Sequence, residues 1–346
     1  MNKISNKFFA YIHDYFTIYL PNQKGCSPNT IRSYKQDLNG LLHFIMNEKH
    51  INIMDIGFQT ITAAVFSEYL DYVENIEGNC VTTRNRKHIS ICSFYKYVSI
   101  MDPTLTSYYS EIKTIPRKKA VKSNIVDYLS ENAIKALLRA PNAESETGLR
   151  DQVYMILSYD TAARIDEILH IKLRDISLTQ TPQILLHGKG KKDRYVPVMK
   201  ETIPHLKKYI SIYHPDCNCY SDEYLFYSLR NGKKEPIHSD TIRKMLKKYA
   251  AKLHESMPEI PADIHPHLFR HSRAMHLYQH GMELTLISQW LGHSSLQTTL
   301  VYAHADTEMK RKAISLATDD IVKNISPTKN GYSIADDEVL LRLLGL

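Results

Sequence analysis

A chain of 346 residues with 43% hydrophobic residues can fold as a globular protein and is long enough to divide its core between two domains. Its net charge of +7 and pI near 8.9 lean toward a polyanionic partner. The cysteines Cys26, Cys80, Cys92, Cys217 and Cys219 are odd in number and lack CxxC spacing, which speaks against a disulfide framework and fits a reducing, cytoplasmic setting.

The N-terminal MNKISNKFFAYIHDYFTIYL resembles a signal peptide only at first sight. His13 and Asp14 interrupt the apolar run, and Phe8, Phe9, Ile12, Phe16 and Tyr19 recur at helical spacing, which predicts an amphipathic helix. No stretch reaches the roughly 18 apolar residues of a membrane span. Ser27 and Pro28 then open a second helix, with Ile31, Tyr34, Leu38, Leu41, Leu42 and Ile45 along one stripe. FSEYLDYVENI predicts a third helix. TTRNRKHISICSFYKYVSI predicts a fourth, with Ile91, Phe94, Tyr95 and Val98 inward and Arg84, Arg86 and Lys87 near its start, placed to grip phosphates.

Residues 108–125 carry Pro116, Arg117, Lys118, Lys119 and Lys122 and read as a basic connector between an all-helical domain, 1–107, and a second domain, 126–325. In the second domain Ser130 caps ENAIKALLRA, and RDQVYMILSYDTAARIDEILHIKLRDI holds two more helical stretches. QILLH, the turn GKGKKD and RYVPV form the one convincing β-hairpin. Helices are expected around 239–253, 266–280, 283–291 and 295–322. The fold class is therefore mainly α: a helical N-terminal domain and a mixed α+β, mostly helical second domain with a small antiparallel sheet.

HPHLFRHSRAMHLYQHG, residues 265–281, concentrates histidine and arginine. The pairs His267/His271 and His276/His280 have a spacing that can place zinc ligands on one helix face, but no HExxH, interposed carboxylate or neighbouring cysteine accompanies them. Cys217 and Cys219 invite a metal reading too, and an ordinary loop is preferred there. No metal and no cofactor is expected. For His276 and His280 a solvated face near the helix end is the expected role. His267 and Arg270 instead share one face in the first turn of a helix opened by Pro266, where free N–H groups and a guanidinium fork suit a phosphate.

Arg164-x-x-Glu167 in TAARIDEIL, Lys189 in the hairpin turn, His267-x-x-Arg270 followed by His271, His293 in LGHSS and Tyr302 nine residues later stand in one order. That series closely resembles the tyrosine recombinase (phage integrase) family, and SPNTIRSYKQDLNGLLHFI resembles its helical core-binding domain. The resemblance implies a two-domain clamp on double-stranded DNA and a site-specific recombinase that cleaves and rejoins strands through a 3′-phosphotyrosine, integrating, excising or resolving a mobile element. It makes Tyr302 the nucleophile. Arg164, Arg270 and His293 would stabilise the transition state, Lys189 would protonate the leaving oxygen and His267 would accept the tyrosine proton. Glu167 and His271 would support these groups, and Arg117, Lys118 and Lys119 would track the DNA backbone. Thr-Gly, frequent before the first arginine of the family, is matched here by Ala162-Ala163, and Phe269 stands where leucine is usual. A bacterial, nucleoid-associated tetramer on two DNA sites, alone or with related recombinases, follows from the same resemblance. So does a C-terminal tail, 326–346, whose apolar Val339, Leu340, Leu343 and Leu344 would pack into a neighbouring protomer. A type IB topoisomerase-like relaxase and a catalytically silent DNA-binding protein of the same fold are the alternatives.

Overall fold

The computed structural model describes residues 6–120, 126–188, 192–293 and 295–305, and the chain separates into two units, Met1–Lys122 and Ser123–Leu346. In the first unit, helix α1 (Lys7–Asp14) starts at Asn6, whose side chain accepts from the Phe8 amide, and widens into a π-type stretch over Tyr15–Gln23 that accommodates Pro21. Helices α2 (Pro28–Glu48), α3 (Ala63–Asn75) and α4 (Val81–Met101) follow, with Ser27 and Thr62 capping the first two. The expected stripe of α2 divides: Leu38, Leu41 and Ile45 are buried, whereas Ile31, Tyr34 and Leu42 pack at the margin. In α4, Ile91, Phe94, Tyr95 and Val98 are all buried, against Phe8, Tyr15 and Phe66.

The stretch read as the start of a connector is instead helix α5 (Thr106–Lys113), whose Ile112 enters this core. Fully burying such a side chain is worth about 2 kcal/mol, enough to hold a two-turn helix against its neighbours. Beyond α5 the backbone stays attached to α4: Arg84 Nη1 donates to Pro116 O at 3.0 Å, and Asn85 pairs with both the amide and the carbonyl of Lys118.

The second unit opens with α6 (Glu131–Arg139), capped by Ser130, then α7 (Glu146–Thr161) and α8 (Ile165–Leu169). Strands β1 (Ile176–Ser177), β2 (Gln183–Gly188) and β3 (Lys192–Pro197) form an antiparallel sheet in the order β1-β2-β3, with Leu186 opposite Arg194 and Gly188 opposite Lys192. Two elements absent from the sequence reading follow. One is helix α9 (Thr202–Tyr213), and the other a hairpin of β4 (Tyr227–Arg230) and β5 (Lys233–Pro236). Asn231 and Gly232 turn that hairpin with φ of 49° and 74°, the left-handed pair that a tight antiparallel turn requires.

Helices α10 (Ser239–His254), α11 (Pro266–Gln279) and α12 (Leu284–Leu291) match the expected positions. The helix expected over 295–322 begins instead as a 3-10 turn at Leu296–Thr298 and continues as α13 (Leu300–Ala305); its remainder lies outside the described residues. The main core runs through α6, α7, β2, β3 and α10. A smaller cluster of Ala162, Ala274, Met275, Ile287, Leu291 and Tyr302 joins the end of α7 to α11, α12 and α13. Among the described residues no helix is long and apolar enough to cross a membrane.

Candidate active site

The site grows from the break between α7 and α8. Ala162 adopts φ 49°, a left-handed conformation that favours glycine. The backbone thus wants glycine at 162, with Thr161 ahead of it, so the Thr-Gly of the resemblance falls one residue earlier than Ala162-Ala163. Neighbours hold the strained turn: Trp290 Nε1 donates to Thr161 O at 3.1 Å, and Arg270 Nη1 donates to Ala162 O at 2.7 Å. The turn sets Arg164 at the head of α8, where the Glu167 carboxylate accepts from the Arg164 amide at 2.9 Å.

Glu167 is the electrostatic hub. It is buried and accepts from Arg164 Nη1 at 2.9 Å and from Arg194 Nη1 and Nη2 at 3.0 and 2.8 Å. Burial alone would raise its pKa, but the Arg194 and Arg164 hydrogen bonds and the Arg194 charge outweigh burial and hold the carboxyl down at about 2. Arg194 projects from β3, and its Nε donates to Trp290 O at 3.0 Å, so one guanidinium joins α8, the sheet and α12. Gly292, which ends α12 at φ 63°, makes the room: a Cβ there would lie 2.9 Å from Arg194 Nη1. Sequence reasoning did not single out Arg194. Its alternation in RYVPV was legible, but nothing local distinguishes it from the surface charges beside it.

Arg270, on α11, is buried and donates through Nη1 to Ala162 O and through Nη2 to Leu291 O, both at 2.7 Å. Burial and the charge of Arg164 lower its pKa to about 10, which leaves it a cation at neutral pH. One residue on, His271 Nδ1 lies 2.9 Å from the Tyr302 hydroxyl. Burial raises the Tyr302 pKa to about 12, and burial together with the charges of His267 and Arg270 lowers that of His271 to about 4. A neutral phenol therefore donates to a neutral imidazole. The His267 ring lies 6.4 Å from that of His271, tilted by 34°, and the hydrogen-bond partner of the hydroxyl is His271, where the sequence expectation had His267. Burial, Arg270 and Arg164 likewise keep His293 neutral, at about 4, with Nδ1 set 2.8 Å from Thr299 Oγ1.

The remaining expected residues fare unevenly. Lys189 lies outside the described residues, as does the tail at 326–346. His276 is buried against the Tyr159 hydroxyl, 2.8 Å from Nδ1, so the solvated-face reading fails for it. Arg84 is 3% exposed and holds Pro116 O, which removes it from any phosphate-gripping surface. Arg86 bonds Asp37 and Ser33, Lys87 bonds Glu77, and Lys118 bonds Glu74, so these cations are engaged within their own unit. Arg117 and Lys119 are exposed.

Guanidiniums beside neutral imidazoles and a phenol make a site for an anion that gains charge during reaction, as a phosphodiester does under attack. Comparisons agree with that chemistry. The profile of the phage integrase family matches residues 127–309, and that of the phage integrase N-terminal SAM-like domain matches residues 14–99. A tyrosine recombinase of Thermosipho africanus is 31% identical over 303 residues, 86% of this chain and 96% of the relative. The tyrosine recombinase XerC of Staphylococcus saprophyticus is 29% identical over 301 residues, 87% and 95% of the two chains. Among solved structures, the XerH site-specific recombinase bound to palindromic difH substrate in a post-cleavage complex superposes with a TM-score of 0.61 at 20% identity, over 85% of this chain and 81% of that one, which shows a shared fold. The chain belongs to the phage integrase family, and it is a tyrosine recombinase that cleaves and rejoins DNA strands in site-specific recombination.

Proposed function

We propose that Tyr302 is the nucleophile and that His271, rather than His267, receives its proton. The observation that carries this reading is the Tyr302–His271 hydrogen bond beside buried Arg270. The Tyr302 oxygen bonds to phosphorus, the bond from phosphorus to the 5′-oxygen breaks, and the proton passes to His271 Nδ1. Arg270, Arg164 and His293 take up the charge on the non-bridging oxygens. Lys189 protonates the departing 5′-oxygen. Because the 3′-phosphotyrosine keeps the energy of the broken ester, religation to another strand needs no nucleotide. With arginines supplying the charge stabilisation, the cleavage step needs no added divalent ion. The substrate is double-stranded DNA at the ends or target of a mobile element, acted on by a tetramer that pairs two sites.

The test is a suicide DNA substrate, nicked so that the cleaved strand diffuses away, with covalent adduct read on a denaturing gel. Wild-type protein forms adduct in excess EDTA. Tyr302→Phe forms none and retains DNA affinity, and His271→Gln slows adduct formation more than His267→Gln does. Adduct from Tyr302→Phe, or cleavage that only magnesium restores, overturns the assignment.

A further inference from the structure

Helix α9 ends at Tyr213, and the chain then crosses HPDCNCYSDEYLF before entering β4. His214, Cys217 and Glu223 of this crossing bring an imidazole nitrogen, a thiol and a carboxylate oxygen within 4.8 Å of one another. None belongs to the group around Glu167 and Tyr302. The backbone here is fixed: the Leu173 amide donates to Glu223 O at 3.0 Å, the Arg174 amide donates to Ser221 O at 3.1 Å, and the Cys217 amide donates to His214 O at 3.2 Å.

The hydrogen count at His214 is informative. Its ring is fully buried, and Nε2 lies 3.1 Å from Leu225 O, a carbonyl that can only accept, so Nε2 carries a hydrogen. Nδ1 lies 3.1 Å from Glu223 Oε2. With Nε2 spent on that carbonyl, Nδ1 is the ring atom left to face Oε2 and a shared ion. Lys234 Nζ lies 2.7 Å from the same Oε2, so this oxygen already faces a cation. A metal ion would be held by Nδ1, Oε2 and Cys217 Sγ together. The donation from Nε2 to a backbone carbonyl is the support that a metal-bound histidine ordinarily has. Zn–N, Zn–O and Zn–S bonds of about 2.0, 2.1 and 2.3 Å in a tetrahedron put ligand atoms roughly 3.3–3.7 Å apart, so Nδ1 and Oε2, at 3.1 Å, would part slightly while Sγ, within 4.8 Å of both, draws in.

We infer that His214, Cys217 and Glu223 form a zinc site with a solvent-open fourth position, tying the end of α9 to the segment that leads into β4. Thiolate with imidazole and carboxylate selects zinc over magnesium or calcium. The sequence reading preferred an ordinary loop at Cys217 and Cys219; the loop is present, and within it Cys217 groups with His214 and Glu223 instead of with Cys219. Lys234, partly exposed, is the group the ion displaces from Glu223.

The test uses the full chain with any affinity tag removed. After growth in zinc-supplemented medium and dialysis, elemental analysis gives about one zinc per chain, and exchange for cobalt(II) yields a thiolate-to-cobalt charge-transfer band. Cys217→Ser loses the band and the zinc, and Cys219→Ser keeps both. Lys234→Met removes the competing ammonium and tightens cobalt binding by at least roughly tenfold. A chain holding less than about a tenth of a zinc per molecule with no cobalt–thiolate band overturns the inference. So does an ion that depends on Cys219 but not Cys217, or one that Lys234→Met weakens. A Cys217→Ser chain that fails to fold leaves the wild-type band and the Lys234→Met affinity to decide the matter.

Discussion

Replacing Arg194 with methionine isolates the buried ion network from the reacting groups, because the side chain holds Glu167 and the Trp290 carbonyl without touching Tyr302 or His271. In the wild type Glu167 titrates at about 2 in the folded chain against an ordinary value of 4.5. A folded pKa below the unfolded one contributes stability that is complete above about 4.5 and disappears as pH falls toward 2. At roughly 1.4 kcal/mol per pH unit the network contributes about 3 kcal/mol at neutral pH. Methionine keeps the apolar stem but leaves Glu167 with Arg164 as its one guanidinium, itself partly exposed, and leaves Trp290 O without its donor. The expected loss at pH 7 is about 2–3 kcal/mol, less than the roughly 3–5 kcal/mol for stranding a buried charge outright, because Arg164 stays. Arg194→Lys recovers little: a single ammonium cannot span two carboxylate oxygens and a carbonyl.

Urea unfolding followed by Trp290 fluorescence reads this loss in the second unit, where the chain's single tryptophan lies. The difference between wild type and variant should be largest at pH 7 and should narrow between pH 4.5 and pH 3. A variant as stable as wild type at pH 7, or one whose deficit is unchanged down to pH 3, refutes the claim that Arg194 holds the Glu167 charge.

Three further outcomes follow from the same geometry. With His271 and His293 both near 4 and Tyr302 near 12, adduct formation should show no inflection near pH 6.5 and should fall only as acid protonates His271 near pH 4; an inflection near 6.5 that His271→Gln abolishes would show the imidazole to be solvated. Arg84→Met should destabilise the first unit by about 1–3 kcal/mol through the orphaned Pro116 carbonyl and leave the salt dependence of DNA binding unchanged, whereas loss of roughly one unit of salt slope would restore it as a phosphate contact. Gly292→Ala adds about 1 kcal/mol of left-handed backbone strain and pushes on Arg194, so stability and adduct rate should fall together, and a variant equal to wild type in both would mean that Arg194 yields freely.

How far the sequence carried the fold depended on the kind of signal. Caps and stripes were local, so Ser27, Ser130 and Pro266 marked the starts of α2, α6 and α11. Within 108–125 the helical stretch 108–113 was hidden because charge was weighed before periodicity: Tyr108, Tyr109, Ile112 and Ile115 give α5 and its exit a packed face among the lysines. The second hairpin was legible in Asn231-Gly232 and was overlooked because its strands, YSLR and KKEP, are short and half exposed.

For the site, the ordered motifs pointed to Arg164, Arg270, His271, His293 and Tyr302, which the fold gathers, and sequence order could not say which of them meet. His267 and His271 lie on one helix, so the hydroxyl could reach either until α13 was packed against α11 with Tyr302 beneath His271. Arg194 was invisible for the same reason: its importance arises from β3 lying between α8 and α12, through contacts to residues 27 and 96 positions away. That packing also places Tyr302 at 1% exposure with its hydroxyl bonded inward. A hydroxyl so placed cannot touch a phosphodiester outside the protein. For His271 to take the proton as the hydroxyl attacks, the phosphodiester must reach the pair together, entering between α11 and α13, and its contacts with the guanidiniums would offset the cost of opening that seam. Adduct formation should therefore be slower than DNA binding, and weakening the bond between Tyr302 and His271 would ease exposure of the hydroxyl while removing its proton acceptor.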